Sequence, residues 1–260
     1  MFEKNRLSGK IALITGATSG IGKACAEKFA SLGMNLILTG RREDILLKLK
    51  EQLKEKYNSD AYILILDIRD GKKVQKSIES LPEEWKNIDI LVNNAGLALG
   101  LDKLYLNSLE DIDTVIDTNI KGLLYTTNAV VPLMLKRGVT TTIINVGSVA
   151  GDAAYAGGAV YCATKAAVKV LSDGLRIDLV DSNIKVTDIK PGLVETNFSI
   201  IRFKGDTERA KKVYQGIEPL SAEDIADTIA YVANLPENVH IAEMTVLCKN
   251  QADGRTIYKK

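Results

Sequence analysis

Tyr161 and Lys165 stand four residues apart in GAVYCATKAAV, and Ser148 lies thirteen residues before the tyrosine, at the end of the apolar run TTIINVGS. On a helix, that spacing puts phenol and ammonium on one face, about 5–6 Å apart at Cβ. A phenol ordinarily titrates near about 10, too high for a good base at neutral pH. A unit charge about 4 Å away is worth roughly 4 kcal/mol at an effective dielectric near 20. One pKa unit is about 1.4 kcal/mol, so a lysine brings the phenol toward ~7 once water is mostly excluded. That is the range of a working general acid/base, and Ser148 would hold the oxygen that gains or loses the proton. The pair alone says little: Tyr-x-x-x-Lys arises by chance in a chain with nine Tyr and abundant Lys, and an exposed helix pair has the same spacing.

The elements around the trio give it context. Short apolar runs read as strands at Lys10–Thr15, Asn35–Thr39, Ala61–Leu66, Ile88–Val92, Thr141–Gly147, Ile184–Ile189 and Ile241–Leu247. Helical spacing marks Gly20–Leu32, Arg42–Tyr57, Lys72–Leu81, a long helix from Leu109 to Lys136 with Pro132 near its end, Gly158–Leu179, and Ala222–Leu235. This alternation predicts βαβ crossovers and a parallel sheet. Strands apolar throughout predict helices on both sheet faces. The expected fold is therefore α/β: one Rossmann-like, doubly wound parallel sheet of about seven strands, a single domain over residues 1–260. Ligands of such sheets bind beyond the carboxyl ends of the strands. There the chain places Gly16, Arg41, Asp67, Asn93, Ser148 and Gly192.

Between the first strand and its helix lies TGATSGIG, Thr15 to Gly22. Glycines at 16, 20 and 22 allow a tight turn and leave helix N–H groups to hold a phosphate, with Thr15, Thr18, Ser19 and Ile21 in the same loop. The position between a strand and a helix predicts a dinucleotide site. The second strand ends in Thr39-Gly40-Arg41-Arg42. An NAD site usually places an acid there. Here Gly40 stands in that position and two arginines follow, which match a 2′-phosphate by charge and fork geometry and predict NADP. An acid would suit the start of the following helix better, so the arginines need another reason. Asp67 and Ile68, after the third strand, are placed to meet the adenine; a turn-capping Asp67 would look the same.

Composition narrows the classes. The chain has 260 residues, 46% hydrophobic, with a net charge of +1. That size supports a core without staples, and the charge favours neither nucleic acid nor membrane. Three cysteines without CxxC spacing support neither a disulfide framework nor a zinc site. His240 is the single histidine, which argues against a Ser-His-Asp hydrolase and a multi-His metal site. MFEKNRLSGK shows no signal-peptide core, no apolar run reaches membrane-span length, and a cytoplasmic protein is expected.

TGATSGIG, NNAG at Asn93 to Gly96, Asn119 in DTNIKG, Ser148, YCATK and Pro191-Gly192 together resemble the short-chain dehydrogenases/reductases of the compact type, from about Gly9 to Leu247. The resemblance implies roles for matching positions. Tyr161 would be the general acid/base. Lys165 would lower its pKa and bind the nicotinamide ribose. Ser148 would orient the substrate oxygen, and Asn119 would hold a water of a proton relay. Asn94 and Ala95 would line the adenosine ribose side. Pro191, Gly192, Val194 and Thr196 would belong to a loop over the nicotinamide. The segments LPEEWKNIDILVNNAGLALG, KPGLVETNFSIIRFKGD and CKNQADGRTIY are similar to NADP-dependent serine or 3-hydroxy acid dehydrogenases. That implies oxidation of the 3-hydroxyl of small acids such as L-serine, L-allo-threonine, 3-hydroxyisobutyrate or 3-hydroxypropionate, by cytoplasmic homotetramers.

Two positions depart from those relatives. Ala156 replaces a frequent proline and is expected to loosen the loop before the catalytic helix. Lys190 replaces a small or apolar residue and is expected to face solvent. A small acid also needs a counter-charge, and Arg202 and Lys204, after the nicotinamide loop, are the candidates by position. A broad carbonyl or 3-oxoacyl reductase would share every catalytic residue named, and a noncatalytic NADPH-binding sensor would share the nucleotide site. The intact Ser148, Tyr161 and Lys165 argue against the sensor.

Overall fold

The computed structural model describes residues 4–260. Its seven strands are β1 Ile11–Ile14, β2 Asn35–Gly40, β3 Ala61–Ile65, β4 Ile90–Asn93, β5 Thr141–Val146, β6 Ile184–Pro191 and β7 Glu243–Val246. They form one sheet in the order β3-β2-β1-β4-β5-β6-β7, every pairing parallel. The winding reverses between β1 and β4, and that switch point opens a crevice at the carboxyl ends. This is the doubly wound, Rossmann-like sheet expected from the alternation of elements. No helix among the described residues is long and apolar enough to cross a membrane.

The helices are α1 Gly20–Ser31, α2 Glu43–Tyr57, α3 Gly71–Glu79, α4 Leu109–Ile116, α5 Gly122–Arg137, α6 Ala159–Asp178, α7 Phe198–Arg202, α8 Thr207–Tyr214 and α9 Ala222–Ala233. Period-two alternation along β1 divides the core. Ala12 and Ile14 join Phe29, Leu46, Ile225 and Ile229 of α1, α2 and α9. Leu13 joins Val74, Val130 and Met134 of α3 and α5 on the other face. The central strands β1, β2, β4, β5 and β6 are buried almost throughout. At the edges, β7 alternates exposed with half-buried residues and β3 is partly exposed, ending at exposed Ile65, because each has a neighbour on one side only.

A polar ladder crosses the second face. Asn93 Nδ2 donates to Thr127 Oγ1 (3.0 Å) and Asn145 Oδ1 (2.9 Å), and Asn145 Nδ2 donates to Ser172 Oγ (2.9 Å). These bonds tie β4 and β5 to α5 and α6, so Asn93 braces the scaffold that carries Tyr161 and Lys165.

Three local readings are corrected. The helix expected over Leu109–Lys136 is interrupted by a π-turn, Asp117–Lys121, between α4 and α5. Helix α5 continues through Pro132 to Arg137 and closes on Gly138 (φ +63°). Two short helices, α7 and α8, occupy a stretch whose sequence shows no clear period. Finally, α2 starts at Glu43, and Glu43 and Asp44 supply the acids its first turn prefers. Arg41 and Arg42 precede the helix, so they raise no macrodipole conflict.

Candidate active site

A cleft of about 830 Å³ runs across the carboxyl ends of the strands, from Arg41 and Asp67 at one end to Tyr155, Tyr161 and Arg202 at the other. That size suits an extended small molecule such as a dinucleotide. The Gly-rich turn forms its floor. Gly16 (φ +69°) and Gly20 (φ +54°) take the left-handed conformation that glycine allows. At Gly22 a Cβ would lie 2.4 Å from Asn94 Nδ2 and 2.5 Å from Gly16 O, so only hydrogen fits. Ser19 caps α1 without a side-chain bond, and its first N–H groups point at the cleft unshielded by a capping side chain. A helix start of this kind suits a phosphate.

Not every residue of this motif touches the cleft. Gly16, Thr18, Ser19, Gly20 and Ile21 line it, whereas Thr15 is buried behind. Thr15 Oγ1 accepts from the N–H groups of Asn94 and Ala95, both at 3.0 Å, and Asn94 Nδ2 returns a bond to Thr15 O at 2.8 Å. Asn94 and Ala95 thus lock the turn as well as line the wall.

At the far end, Gly40 leaves room for Thr18, whose Cγ2 would be 2.7 Å from a Cβ there. Arg42 Nη2 donates to Thr18 Oγ1 at 2.7 Å and lies over the Gly-rich turn. Arg41 is 65% exposed, with only a loose ion pair to Asp67 at 3.9 Å. Its guanidinium fork is therefore available to a ligand. Asp67 differs from the expectation: Arg69 grips its carboxylate with Nε at 3.0 Å and Nη2 at 2.7 Å. That bond holds the Asp67 carboxyl below its usual range. The carboxylate is engaged within the protein, and Ile68 beside it presents an apolar surface to the cleft.

The chemical trio meets at the other end. Ser148 follows β5, with Oγ accepting from Ala150 N (3.1 Å) and 3.5 Å from Pro191 O. Helix α6 carries Tyr161 and Lys165 on one face, and the Lys165 Nζ lies 5.9 Å from the phenol ring centroid. Lys165 donates to Val146 O at 2.7 Å. Burial draws its pKa down to about 8, opposed by the charge of Asp188.

The phenol does not behave as the sequence argument expected. Burial pushes Tyr161 above its ordinary value, outweighing the Ser148 hydrogen bond and the Arg202 charge that pull it down. Lys165 is drawn back to a main-chain carbonyl and is itself poorly solvated. In the free protein, then, the phenol is protonated at neutral pH.

Asn119 lies in the π-turn, buried behind the cleft wall. Its Oδ1 accepts from Leu97 N (2.9 Å), and its Nδ2 donates to Leu97 O (2.8 Å) and Thr164 Oγ1 (3.0 Å). Both amide hydrogens are used, so a relay through this residue needs its main chain, which a π-turn pairs irregularly.

Pro191, Gly192, Val194 and Thr196 form the opposite wall. Arg202 reaches the cleft and Lys204 does not: Lys204 is exposed and paired with Asp111 at 2.7 Å. The Arg202 guanidinium lies 5.3 Å from the Tyr161 ring centre and 5.4 Å from that of Tyr155. Its Nη2 bonds the Tyr155 hydroxyl, while its buried Nε has no partner. A half-buried guanidinium with an unused N–H keeps hydrogen-bonding capacity of the kind that suits an anion.

Sequence reasoning passed over Tyr155 and Phe198, which stack on Arg202 and Tyr161, and Gln251, whose Oε1 accepts from Leu193 N at 2.9 Å and pins the wall. They sit in loops or, for Phe198, at the start of the short helix α7, where no periodicity marks them. Beside Ala156 the loop packs closely: a Cβ at Gly157 would meet Leu101 O at 2.2 Å, and one at Gly158 would meet the Tyr155 ring at 2.1 Å. The other departure resolves differently. Lys190 is buried, not solvent-facing, and pairs with Glu243 (2.6 Å) and Asp152 (3.0 Å). A cation on an interior strand folds only with such partners.

Sheet, glycine turn and Ser-Tyr-Lys cluster define a nucleotide-dependent oxidoreductase of the doubly wound class. The family model described as short chain dehydrogenase matches residues 10–205, and the chain belongs to that family. It is 43% identical over 257 residues to an NADP-dependent 3-hydroxy acid dehydrogenase of Schizosaccharomyces pombe, covering 98% of this chain and 99% of the relative. It is 45% identical over 242 residues to sulfoacetaldehyde reductase 2 of Chromohalobacter salexigens, covering 93% and 95%. A structure of the closed form of serine dehydrogenase complexed with NADP+ superposes with a TM-score of 0.88 at 45% identity, covering 96% of this chain and all of that one.

Proposed function

We propose that this short-chain dehydrogenase catalyses reversible, NADP-dependent oxidation of the 3-hydroxyl of small hydroxy acids, among them L-serine, L-allo-threonine, 3-hydroxyisobutyrate and 3-hydroxypropionate. The observation that carries the substrate class is Arg202, a half-buried guanidinium with a buried, unpartnered Nε beside Tyr161. It anchors a carboxylate and leaves the neighbouring hydroxyl to Ser148 and Tyr161. Long acyl substrates lack that need, which favours this reading over a broad carbonyl or 3-oxoacyl reductase. The names of the S. pombe relative and of the superposed serine dehydrogenase agree with it.

The residues present suit NADP. The α1 N-terminus and Gly16–Ile21 would hold the diphosphate, Arg41 and Arg42 the 2′-phosphate, and Ile68, Asn94 and Ala95 the adenosine. The wall from Pro191 to Thr196 would cover the nicotinamide. The bound cofactor supplies the hydride acceptor and a positive charge. In oxidation, Tyr161 takes the hydroxyl proton while Ser148 holds the oxygen. Lys165 would hold the nicotinamide ribose and stabilise the phenolate. Because burial raises the Tyr161 pKa in the free protein, the base forms only when further positive charge enters the cleft. The Asn119 main chain passes the proton outward. The protein contributes position and electrostatics.

The whole chain, 1–260, acts as one NADP-binding unit. Exposed Leu109, Leu124, Val170 and Ile177 on α4, α5 and α6 supply packing surface for a homotetramer. Its three buried thiols suit a reducing cytoplasm. Light scattering coupled to size exclusion reads the subunit count. Absorbance of the reduced nicotinamide, followed with a panel of hydroxy acids, aldehydes and acyl thioesters, tests the substrate class. Equal rates with acids and with uncharged alcohols would remove the role of Arg202.

A further inference from the structure

Strand β6 is buried along its whole length, yet it carries Lys185, Asp188 and Lys190. Lys185 donates to the carbonyls of Pro236 and Val239 at the amino end of the sheet. Lys190 is matched by Glu243 and Asp152. Asp188 stands apart. The residue is 2% exposed, and no side chain bonds either carboxylate oxygen; the Gly147 main chain is its one polar neighbour. Burying a carboxylate without hydrogen bonds is unfavourable unless an opposite charge compensates.

The neighbourhood shows which charge that is. Asp188 pairs with Asn145 of β5 and projects on the face covered by α6. It fills the space beside Gly147, where a Cβ would lie 2.2 Å from Oδ1. Gly147 separates Val146, whose carbonyl holds the Lys165 ammonium, from Ser148. Asp188 is thus set beneath the turn that joins the two polar groups of the site. The other charged groups around it are Lys190 on β6, Glu243 on β7, Asp152 after β5, and Lys169, Asp173 and Arg176 on α6. Lys190, Lys169, Glu243 and Asp152 pair with one another at 2.6–3.8 Å, and Arg176 pairs with Asp173 at 2.8 Å. Lys165 is left as the cation without a carboxylate contact, and Asp188 as the carboxylate without a cation contact. Their mutual attraction is the strongest pull that each feels.

We propose that Asp188 is a positioning residue for the reaction, the buried counter-charge that keeps Lys165 cationic and seated on the Val146 carbonyl. The proposal rests on the role given above to Lys165. Burial alone would let the amine lose its proton near working pH, and a neutral amine stabilises no phenolate. Gly147 is glycine because the carboxylate needs that space.

The test reads the amine directly, without turnover. The pH midpoint of Lys165 modification by an amine-reactive reagent, followed by peptide mass spectrometry, is compared in the parent, Asp188→Asn and Asp188→Glu. In Asp188→Asn the midpoint should fall by about one pH unit or more, kcat should drop at least tenfold, and KM should change little. Asp188→Glu should restore both midpoint and kcat toward the parent. An unchanged midpoint in a folded Asn variant overturns the proposal. Should that variant fail to fold, Asp188→Ser takes its place with the same outcomes. A lowered midpoint with full kcat in the Asn variant would overturn the link to the reaction and locate the fault in the role assigned to Lys165. A lowered midpoint with loss of turnover in Tyr161→Phe keeps both.

Discussion

A phenol, an ammonium and a guanidinium meet within about one side-chain length in this cleft, and their protonation follows from solvation more than from proximity. Tyr161 is held protonated by burial, and Lys165 is drawn down to about 8 for the same reason. Removing the phenol oxygen should remove the acid/base. Tyr161→Phe is expected to keep NADPH binding, measured by fluorescence titration, and to lose turnover by about 10²-fold or more. For Arg202→Ala, the KM for a 3-hydroxy acid should rise well above tenfold while the rate with an uncharged alcohol stays near parent level. Loss of a charge-assisted bond of roughly 1.5–3 kcal/mol predicts that scale. At Arg41, exposed and only loosely paired, alanine should weaken NADP far more than NAD in paired titrations; equal losses would indicate a damaged fold instead.

Among the elements, the β1–α1 turn and the π-turn do the positioning. The first has no spare volume: a methyl at Gly22 would overlap a backbone carbonyl and the Asn94 amide. Gly22→Ala should therefore lower stability by about 1–3 kcal/mol, read as a fall in denaturation midpoint, and weaken cofactor binding through the same shift. The second was hidden in the sequence. Leu109–Lys136 has the spacing of one helix, and nothing in DTNIKG marks an extra residue per turn. The bonds of Asn119 to Leu97 and Thr164 come from other elements and decide the interruption. Helices α7 and α8 escaped for a related reason: their packing over the cleft, with Tyr214 Oη bonded to Val194 O at 3.0 Å, holds them in place of a strong period.

For the molecule as a whole, the buried pair leaves a signature in stability against pH. Asp188 titrates at about 6 in the fold against an ordinary 3.8. The folded state therefore holds its proton more tightly, so stability is present below the lower value and is lost as pH rises through the window to 6. Lys165 titrates at about 8 against 10.5, so the unfolded state binds its proton more tightly, and stability rises with pH between those values. Each shift is worth about 3 kcal/mol at most. The melting temperature of Asp188→Asn, relative to the parent, should accordingly rise as pH goes from 4 to 7. A pH-independent difference would contradict the buried charge.

Local chemistry was legible before any coordinates. Glycines at fixed offsets, apolar runs of strand length and the Tyr-Lys spacing depend on neighbours in the chain, and from them followed the parallel sheet, the family and the residues that line one cleft. What tertiary structure decided was the environment of each charge: Asp67 gripped by Arg69, Lys204 led away to Asp111, Lys190 drawn inside, Arg202 left with a free N–H, and Asp188 buried against Gly147. Desolvation and long-range pairing depend on which groups the fold brings together, and a one-dimensional string carries no record of them until the chain has packed.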